Sequence, residues 1–394
     1  MKKANLFLAT SISLLGLFSC GSSNDGRAKE LVPESEKTIG TKEGISTLSK
    51  AVETMTSADE LSLTLEKTST FSISGTSSKT YNDEPTKNAT YNYDINVTNP
   101  LFELREVGLA GKDADVAKAS LYLGGDFKGY FQKNSTSTTE NINSTNAVLA
   151  AYLDSKTLYV DPTGASKIIK QAVTAYSGKN LSSVLDEVLD KKYKLTNALS
   201  NEKMPLIPES LTEDIDNYLS LFSTHAEDYK DFLSLSQKDA NYSFYLTLNK
   251  EDLIRVLTDA ENEYAQKDAS DYVPTDYAKE LENSTVNAFE LLITFNESAV
   301  LSTTFNIDMN IATTSDIVSS DNSTSSKVVG EAKTNNHVVS KGKMNFGKDA
   351  PRTPSGDYAD AKEESEKYKK FLEIFSPGIF DKFEQWLLSI SGKR

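Results

Sequence analysis

Cysteine and histidine are nearly absent from this chain. Its 394 residues include one cysteine, Cys20, and two histidines, His225 and His337. An intrachain disulfide is therefore impossible, and zinc sites built from several cysteines are excluded. No nucleophile–base–acid set, His-Glu-x-x-His motif or glycine-rich phosphate loop occurs. We expect no enzyme activity and no cofactor, although abundant carboxylates leave a paired-carboxylate hydrolase formally open.

Positive charge is also scarce. The chain has 42 Lys and Arg residues against 57 Asp and Glu residues, and its formal net charge is −15. So acidic a protein lacks the basic surface that binds phosphate backbones or anionic headgroups, which excludes nucleic acid as an expected partner. Its length and 38% hydrophobic content permit one large domain or two ordinary ones.

The N-terminus carries the clearest motif. Lys2 and Lys3 precede a short apolar run that ends in Leu17-Phe18-Ser19-Cys20. This pattern predicts a signal peptide over residues 1–19 and is too short for a convincing membrane span. The ending resembles a bacterial lipobox. That resemblance implies cleavage between Ser19 and Cys20 and a diacylglyceryl (palmitate-bearing) group on Cys20. The alternative is an ordinary export signal that happens to contain a cysteine.

Downstream, the composition predicts four stretches. Small and polar residues over 20–40 indicate the lipidated cysteine and a flexible tether, with order beginning near Thr41. Residues 41–350 are expected to form one domain, which opens with an amphipathic helix over 41–57. Residues 351–394 suggest C-terminal helices that pack on the same domain.

Hydrophobic periodicity divides the domain further. Strand-like alternation runs from Leu61 to Val160, and a helical period over 163–236 predicts a bundle of three or four helices. Ser, Thr and Asn-rich residues over 132–147 and 313–327 read as solvated loops. Asn249 is expected to cap a helix that runs to about residue 266.

A long hairpin follows that helix. Phe289 to Phe295 alternate with polar residues, Asn296-Glu297-Ser298 predicts a turn, and the alternation returns through Ile311. Antiparallel strands between groups of helices favour an α+β fold over a parallel α/β sheet.

Three stretches resemble the half-barrel lipoproteins of Gram-positive bacteria, which are similar to the outer-membrane lipoprotein carrier and to mycobacterial lipid-binding lipoproteins. They are the helix leading into strands 61–97, the strand–turn–strand over 151–161, and the strand and helix over 242–257 with the hairpin over 286–312. The resemblance implies a strongly curved antiparallel sheet wrapped around helices, whose concavity holds acyl chains or other apolar ligands.

The hairpin supplies the candidate lining of such a cavity. If helices fill the concavity, the inward-facing side chains of the hairpin belong to the core. If a gap remains, the same side chains line a ligand cavity. Alternation alone does not distinguish the two cases. The candidates are Phe289, Leu291, Phe295, Phe305, Ile307 and Met309.

Two weaker signals have plain alternatives. Asn306, Asp308 and Asn310 offer oxygens to a hard cation, but at alternate strand positions we expect a wetted face and no metal. The apolar C-terminal segment around Trp386 fits a docking element, but a helix that closes the core is favoured.

Taken together, the sequence predicts a non-catalytic lipoprotein, a monomer held on the outer face of the bacterial cell membrane through Cys20, with a lipid or apolar ligand. A structural or protein-interaction lipoprotein with a filled core is the alternative. A solute-binding protein of an ABC importer is a further one, which the long antiparallel hairpins disfavour.

Overall fold

The computed structural model describes residues 27, 29–109, 116–133, 139–177, 182–196, 198, 209–268, 275–319, 327–361 and 364. The predicted signal peptide, Cys20, and most of the predicted C-terminal helices lie outside the described residues. The helices are α1 (Thr41–Thr56), α2 (Ser166–Ser177), α3 (Ser182–Leu189), α4 (Glu209–Thr224), α5 (Lys250–Asp268) and α6 (Tyr277–Glu280), with 3-10 turns at Pro85–Lys87 and Thr163–Ala165.

Strands dominate the described part of the chain. They are β1 (Lys37–Thr38), β2 (Glu60–Leu65), β3 (Thr70–Tyr81), β4 (Ala89–Val107), β5 (Lys118–Lys133), β6 (Thr139–Asp154), β7 (Thr157–Asp161), β8 (Tyr193–Leu195), β9 (Leu233–Lys238), β10 (Asn241–Thr247), β11 (Thr285–Phe295), β12 (Val300–Ser319), β13 (Lys327–Gly347) and β14 (Ala359–Asp360).

These strands form one 14-stranded sheet. Thirteen of them follow the order β1-β9-β10-β11-β12-β13-β2-β4-β5-β6-β7-β8-β14, and β3 pairs with β13 and β4 outside this path. Neighbouring strands are antiparallel except for β8 and β14, which are parallel. The predicted α+β class, an antiparallel sheet with helices, is confirmed at this level.

One strand of the sheet is interrupted. Both β2 and β3 lie between β13 and β4, β2 beside residues 344–347 of β13 and β3 beside residues 330–341. The short break at residues 66–69 separates them. Strands β13, β2, β4 and β3 therefore pair in a small closed ring around the break at residues 66–69.

A line of irregularities continues from that break across the neighbouring strands. Asn99 on β4 and Asn146 on β6 have positive φ values of 46° and 52°, and Gly125 on β5 has φ 144°. Asp126 joins the three strands, because its carboxylate accepts from the Asn99 amide at 2.7 Å and from the Asn146 N–H at 2.6 Å. These hydrogen bonds lower the pKa of Asp126. Bulges bend the strands that carry them, and we call this row of irregularities the bend line.

The two faces of the sheet differ in chemistry. Residues two apart on a strand point to the same side. On β12, Phe305 and Ile307 therefore share one side, which we call the apolar face, and Asn306 and Asp308 share the other, which we call the polar face.

Helices α1, α4 and α5 cover only part of the apolar face. Their buried side chains, such as Leu48, Leu221 and Val256, pack in one cluster with Phe244 on β10 and Phe295 on β11. This main core lies under strands β9 to β12. The predicted helix over 41–57 and the predicted hairpin are confirmed, and so is the cap of α5, where the Asn249 side chain accepts the Asp252 N–H at 2.9 Å.

The predicted helical bundle over 163–236 is wrong in two ways. Leu233 begins strand β9 instead of continuing a helix. The helices also separate: Leu219 of α4 joins the main core, whereas Leu185 and Leu189 of α3 pack with Ile169 of α2 in a small cluster of their own. A helical period reports an apolar stripe but does not identify its partner.

The described parts of the two predicted loops are strand. Strand β6 begins at Thr139, β12 continues to Ser319, and β13 begins at Lys327. On β12 the side chains from Thr313 to Asp316 are exposed on both sides of the strand, so they show no apolar alternation. On β6 one side is buried, but it carries Ser144 beside Ile142, so the polar composition hides the strand. The last described strand, β14, falls in the region predicted to be helical.

The predicted flexible tether is also wrong for its second half. Arg27 and residues 29–36, which we call the N-terminal strap, lie against the sheet. The Glu36 N–H donates to the Gln237 carbonyl at 3.0 Å, and β1 then pairs with β9. Ionic contacts fix the segment, although its composition resembles a linker.

Candidate functional site

The six predicted cavity residues lie on the apolar face within the main core. Phe295, Phe305, Ile307 and Met309 are buried, with exposures between 0% and 4%. Phe289 and Leu291 are half-buried and pack against the same cluster. The helices therefore cover these residues, and the part of the apolar face that remains partly exposed lies elsewhere.

That part begins on strands β3, β4 and β5. The register places Val97 between Phe71 and Phe127, and Ile95 opposite Ile73. All five side chains are half-buried, and Phe71 also contacts the main core. Within the described residues, the extensive contacts of β3 and β4 are with other strands and with the turn that joins them. On β3 and β4 the apolar face thus continues beyond α1, α4 and α5, and the next helix along the sheet, α2, contacts β6 and β5.

Aromatic rings mark the far end of this stretch. The Tyr93 and Phe131 rings stack with centroids 6.2 Å apart, and Tyr91 meets Phe131 at 5.6 Å. The Lys133 ammonium lies 5.6 Å from the Tyr91 ring centroid, and the Tyr93 hydroxyl donates to the Asn336 side-chain oxygen. Burial raises the pKa of Tyr93. The patch offers flat apolar area with few polar groups.

A second stretch lies beyond the bend line, on β4, β5 and β6. Phe102 pairs with Leu123, which pairs with Leu149, and Leu104 pairs with Leu121. Leu123 is 37% exposed, a high value for a leucine in a sheet. We call the two stretches together the open apolar face, represented by Ile95, Val97, Leu104, Leu121, Leu123 and Phe131.

A buried carboxyl group stands at one end of this surface. Glu106 follows Leu104 at the same side of β4 and pairs with Leu61 and Ala119. It is 6% exposed, and its Oε2 atom has no hydrogen-bond partner among the described residues. Burial raises its pKa to about 7. Glu106 therefore holds a proton under mildly acidic conditions and is a buried polar group at one end of the open apolar face.

The polar face carries a hydrogen-bonded row beneath the strap. Glu290 on β11 is 0% exposed, as is Asn306 opposite it on β12. The Glu290 carboxylate accepts from the Tyr245 hydroxyl at 2.6 Å, from the Leu31 N–H at 3.1 Å and from the Asn306 amide. The strap thus completes the hydrogen bonding of a fully buried carboxylate.

The expectation of a wetted face is therefore wrong at two of its three residues. Asn306 is buried, and Asp308 is 5% exposed, with its Oδ1 atom 2.6 Å from the Asn287 amide and 2.9 Å from His337 Nε2. Asn310 is half-buried. Within the ranges described, no group of three or more His, Cys, Asp or Glu side chains is arranged to hold a metal ion.

A second polar cluster holds residues 349–358 against the polar face. Arg352 forms two 2.7 Å hydrogen bonds with the buried Glu103 carboxylate, and its guanidinium lies 4.5 Å from the Tyr122 ring centroid. The Tyr122 and Tyr152 hydroxyls are 2.6 Å apart, and burial raises the pKa of Tyr152. Each of these side chains has a hydrogen-bonding partner. We therefore interpret the cluster as a structural contact that holds residues 349–358 in place, and not as a reactive centre.

Comparison of the sequence with protein-family models found no match, and comparison with curated proteins found none either. Among the described residues, no helix combines the length and apolar character needed to cross a membrane. The predicted lipid attachment at Cys20 and the cleavage after Ser19 lie outside the described residues and stay predictions.

Sequence reasoning missed Glu106 and the strap. Glu106 had a usable signal, because it occupies the place of an apolar residue in the alternation Phe102, Leu104, Glu106. The strap had none, since its contacts join residues more than 200 positions apart.

Proposed function

We propose that this protein is a non-catalytic lipoprotein, held by an acylated Cys20 on the outer face of a bacterial membrane, that binds a lipid or another apolar ligand. The observation that carries the binding proposal is the continuation of the apolar face beyond its helices. Large exposed apolar patches on soluble proteins mark interaction or ligand sites. The bend line supports the finer proposal of a half-barrel, a curved sheet with the open apolar face inside.

The open apolar face, and not the predicted hairpin, is the proposed binding surface. The hairpin side chains already have helix partners, whereas Leu123 and its neighbours retain exposed area. An acyl chain laid along this surface gains about 25 cal/mol per Å² of apolar area buried. Such binding needs no charge on the protein surface, which suits an acidic chain.

Native mass spectrometry of the lipidated protein, extracted in mild detergent, tests the binding proposal. We expect a bound acyl lipid in addition to the covalent anchor. Two matched variants localise it: Leu123→Asp and Tyr130→Asp change residues that are both 37% exposed and lie on opposite faces of β5. A charge under an apolar ligand should weaken binding about tenfold or more, so Leu123→Asp should lose the lipid and Tyr130→Asp keep it.

A ligand-free mass, or equal behaviour of the two variants, would contradict the binding proposal. A ligand-free mass would favour the second candidate, a structural or interaction lipoprotein, for which the burial of Phe295 and Ile307 is the supporting observation. A solute-binding protein of an ABC importer is disfavoured by the single antiparallel sheet.

The anchor has its own test. We expect labelled palmitate to enter the protein and Cys20→Ser to abolish both labelling and membrane retention. Retention of the serine variant on membranes would contradict the anchor and leave the ligand proposal standing.

A further inference from the structure

The N-terminal strap ties the start of the folded chain to several elements at once. Glu34 pairs with Lys238 on β9 at 2.9 Å, the Leu31 N–H reaches Glu290 on β11, and Glu30 pairs with Lys341 on β13. Three strands whose contacts are spread over about a hundred residues of sequence therefore hold one short segment across the polar face.

The first described residue forms an ion pair through two hydrogen bonds. Arg27 donates from Nε and from a terminal nitrogen to the two Asp252 oxygens, at 2.6 and 3.1 Å. The Asp252 side chain is 4% exposed and the Arg27 side chain 16%. Asp252 also accepts the Asn249 N–H at 3.2 Å in the cap of α5. A buried, two-point ion pair of this kind is costly to break from one side.

This attachment limits how far the domain stands from its anchor. Cys20 is seven residues before Arg27 in the sequence. At most ~3.6 Å per residue, that stretch spans no more than about 25 Å. A free tether from Cys20 through residue 40 would span more than twice that distance when extended. The strap therefore shortens the distance that the folded domain can move from its lipid anchor.

We infer that the strap side of the sheet is the membrane-facing surface of the domain, and that its partner is the lipid surface that carries the acylated Cys20. The inference rests on the proposed anchor. The open apolar face lies on the opposite side of the sheet, on strands β3 to β6, and is therefore not the surface that meets the bilayer. A ligand would then reach it from the surrounding medium and not directly from the anchoring membrane.

Energy transfer from single labelled positions to acceptor lipids tests this orientation. Because the lipid occupies Cys20, an introduced cysteine is the only free thiol. Val32 is a suitable strap position because it is 78% exposed. Lys50, exposed on α1, reports the opposite side. On phosphatidylglycerol–phosphatidylethanolamine vesicles carrying the lipidated protein, Val32→Cys should transfer more efficiently than Lys50→Cys.

Two changes should abolish that difference. Arg27→Ala should release the start of the strap. A flexible ten-residue Gly-Ser insertion after Gly21 should lengthen the connection between the anchor and the strap without changing any described contact. This variant tests the orientation even if Arg27→Ala unfolds the protein. Equal or greater transfer from Lys50, or a difference that survives the insertion, would overturn the orientation. Failure of the protein to stay on the vesicles would instead contradict the proposed anchor.

Discussion

The covered and open parts of one apolar face show how the same strand pattern leads to two different surfaces. Under α1, α4 and α5, Phe295 and Ile307 are 0% and 1% exposed. On β4 and β5, Val97 and Phe131 alternate with polar residues in the same way but remain half-buried. The difference comes from helices elsewhere in the sequence, so alternation identifies a face and the helices decide whether it becomes core.

Substitution of a phenylalanine in each part should give the largest difference in stability. Phe295→Ala should lower the free energy of unfolding by about 3–5 kcal/mol, because it leaves a cavity in the main core. Phe131→Ala should cost about 1 kcal/mol, because its ring is only half-buried and its removal leaves no closed cavity. Urea unfolding of the two variants measures both. Similar costs would show that the open part is packed as tightly as the covered part.

The stability of the folded protein should depend on pH through Glu106, which lies at one end of the open apolar face. Glu106 ionises near its ordinary pKa of 4.5 when unfolded but only at about 7 when folded. Between these values the unfolded chain has lost the proton that the folded chain keeps, so stability falls as the pH rises. Glu106→Gln does not titrate, and its advantage over the natural chain should therefore grow by about 2 kcal/mol from pH 5 to pH 8. Unfolding curves at the two pH values check this, and a constant difference would refute it.

The polar face repeats the comparison on a smaller scale. The Tyr245 hydroxyl donates to the buried Glu290, whereas Tyr130 on the same side of the sheet is 37% exposed. Tyr245→Phe should cost about 1.5 kcal/mol, the value of a hydrogen bond to a charged group, and Tyr130→Phe almost nothing. Thermal unfolding of the pair provides the measurement. An equal loss of stability in the two variants would mean that the strap does not shield this part of the polar face from solvent.

The smallest expected effect concerns an edge of the sheet. The Gln171 side chain on α2 donates to the Asn141 carbonyl at 3.1 Å and accepts the Asn143 N–H at 3.3 Å, so it blocks the free edge of β6. Gln171→Ala should cost about 0.5–1 kcal/mol and increase self-association. Light scattering measures the self-association of Gln171→Ala, with Lys167→Ala, an exposed substitution on the same helix, as the control. Equal scattering of the two would contradict the edge role.

Much of the fold was predictable from local pattern. Helix α1, the Asn249 cap and the hairpin around Asn296 follow from periodicity and turn chemistry that act over a few residues. The polar strand ends near Thr139 and Ser319 were not predictable in this way. Thr313 to Asp316 on β12 are exposed on both sides, and the buried side of β6 carries Ser144 beside Ile142, so neither segment has a clear apolar alternation.

The site was less predictable than the fold. Alternation points to the hairpin residues, because it is strongest where helices already cover the strand. The open apolar face depends instead on where α1, α4 and α5 do not reach. The strap depends on pairs such as Arg27 with Asp252, 225 positions apart, which no local pattern records.

An environment-sensitive fluorophore on the open apolar face tests the central claim most directly. The label would be placed at Leu123→Cys or, as the matched position on the polar face, at Tyr130→Cys, and oleic acid added below its critical micelle concentration. The account predicts a saturable blue shift at position 123 and none at position 130. No shift at 123, or the same shift at both positions, would contradict ligand binding on the open apolar face.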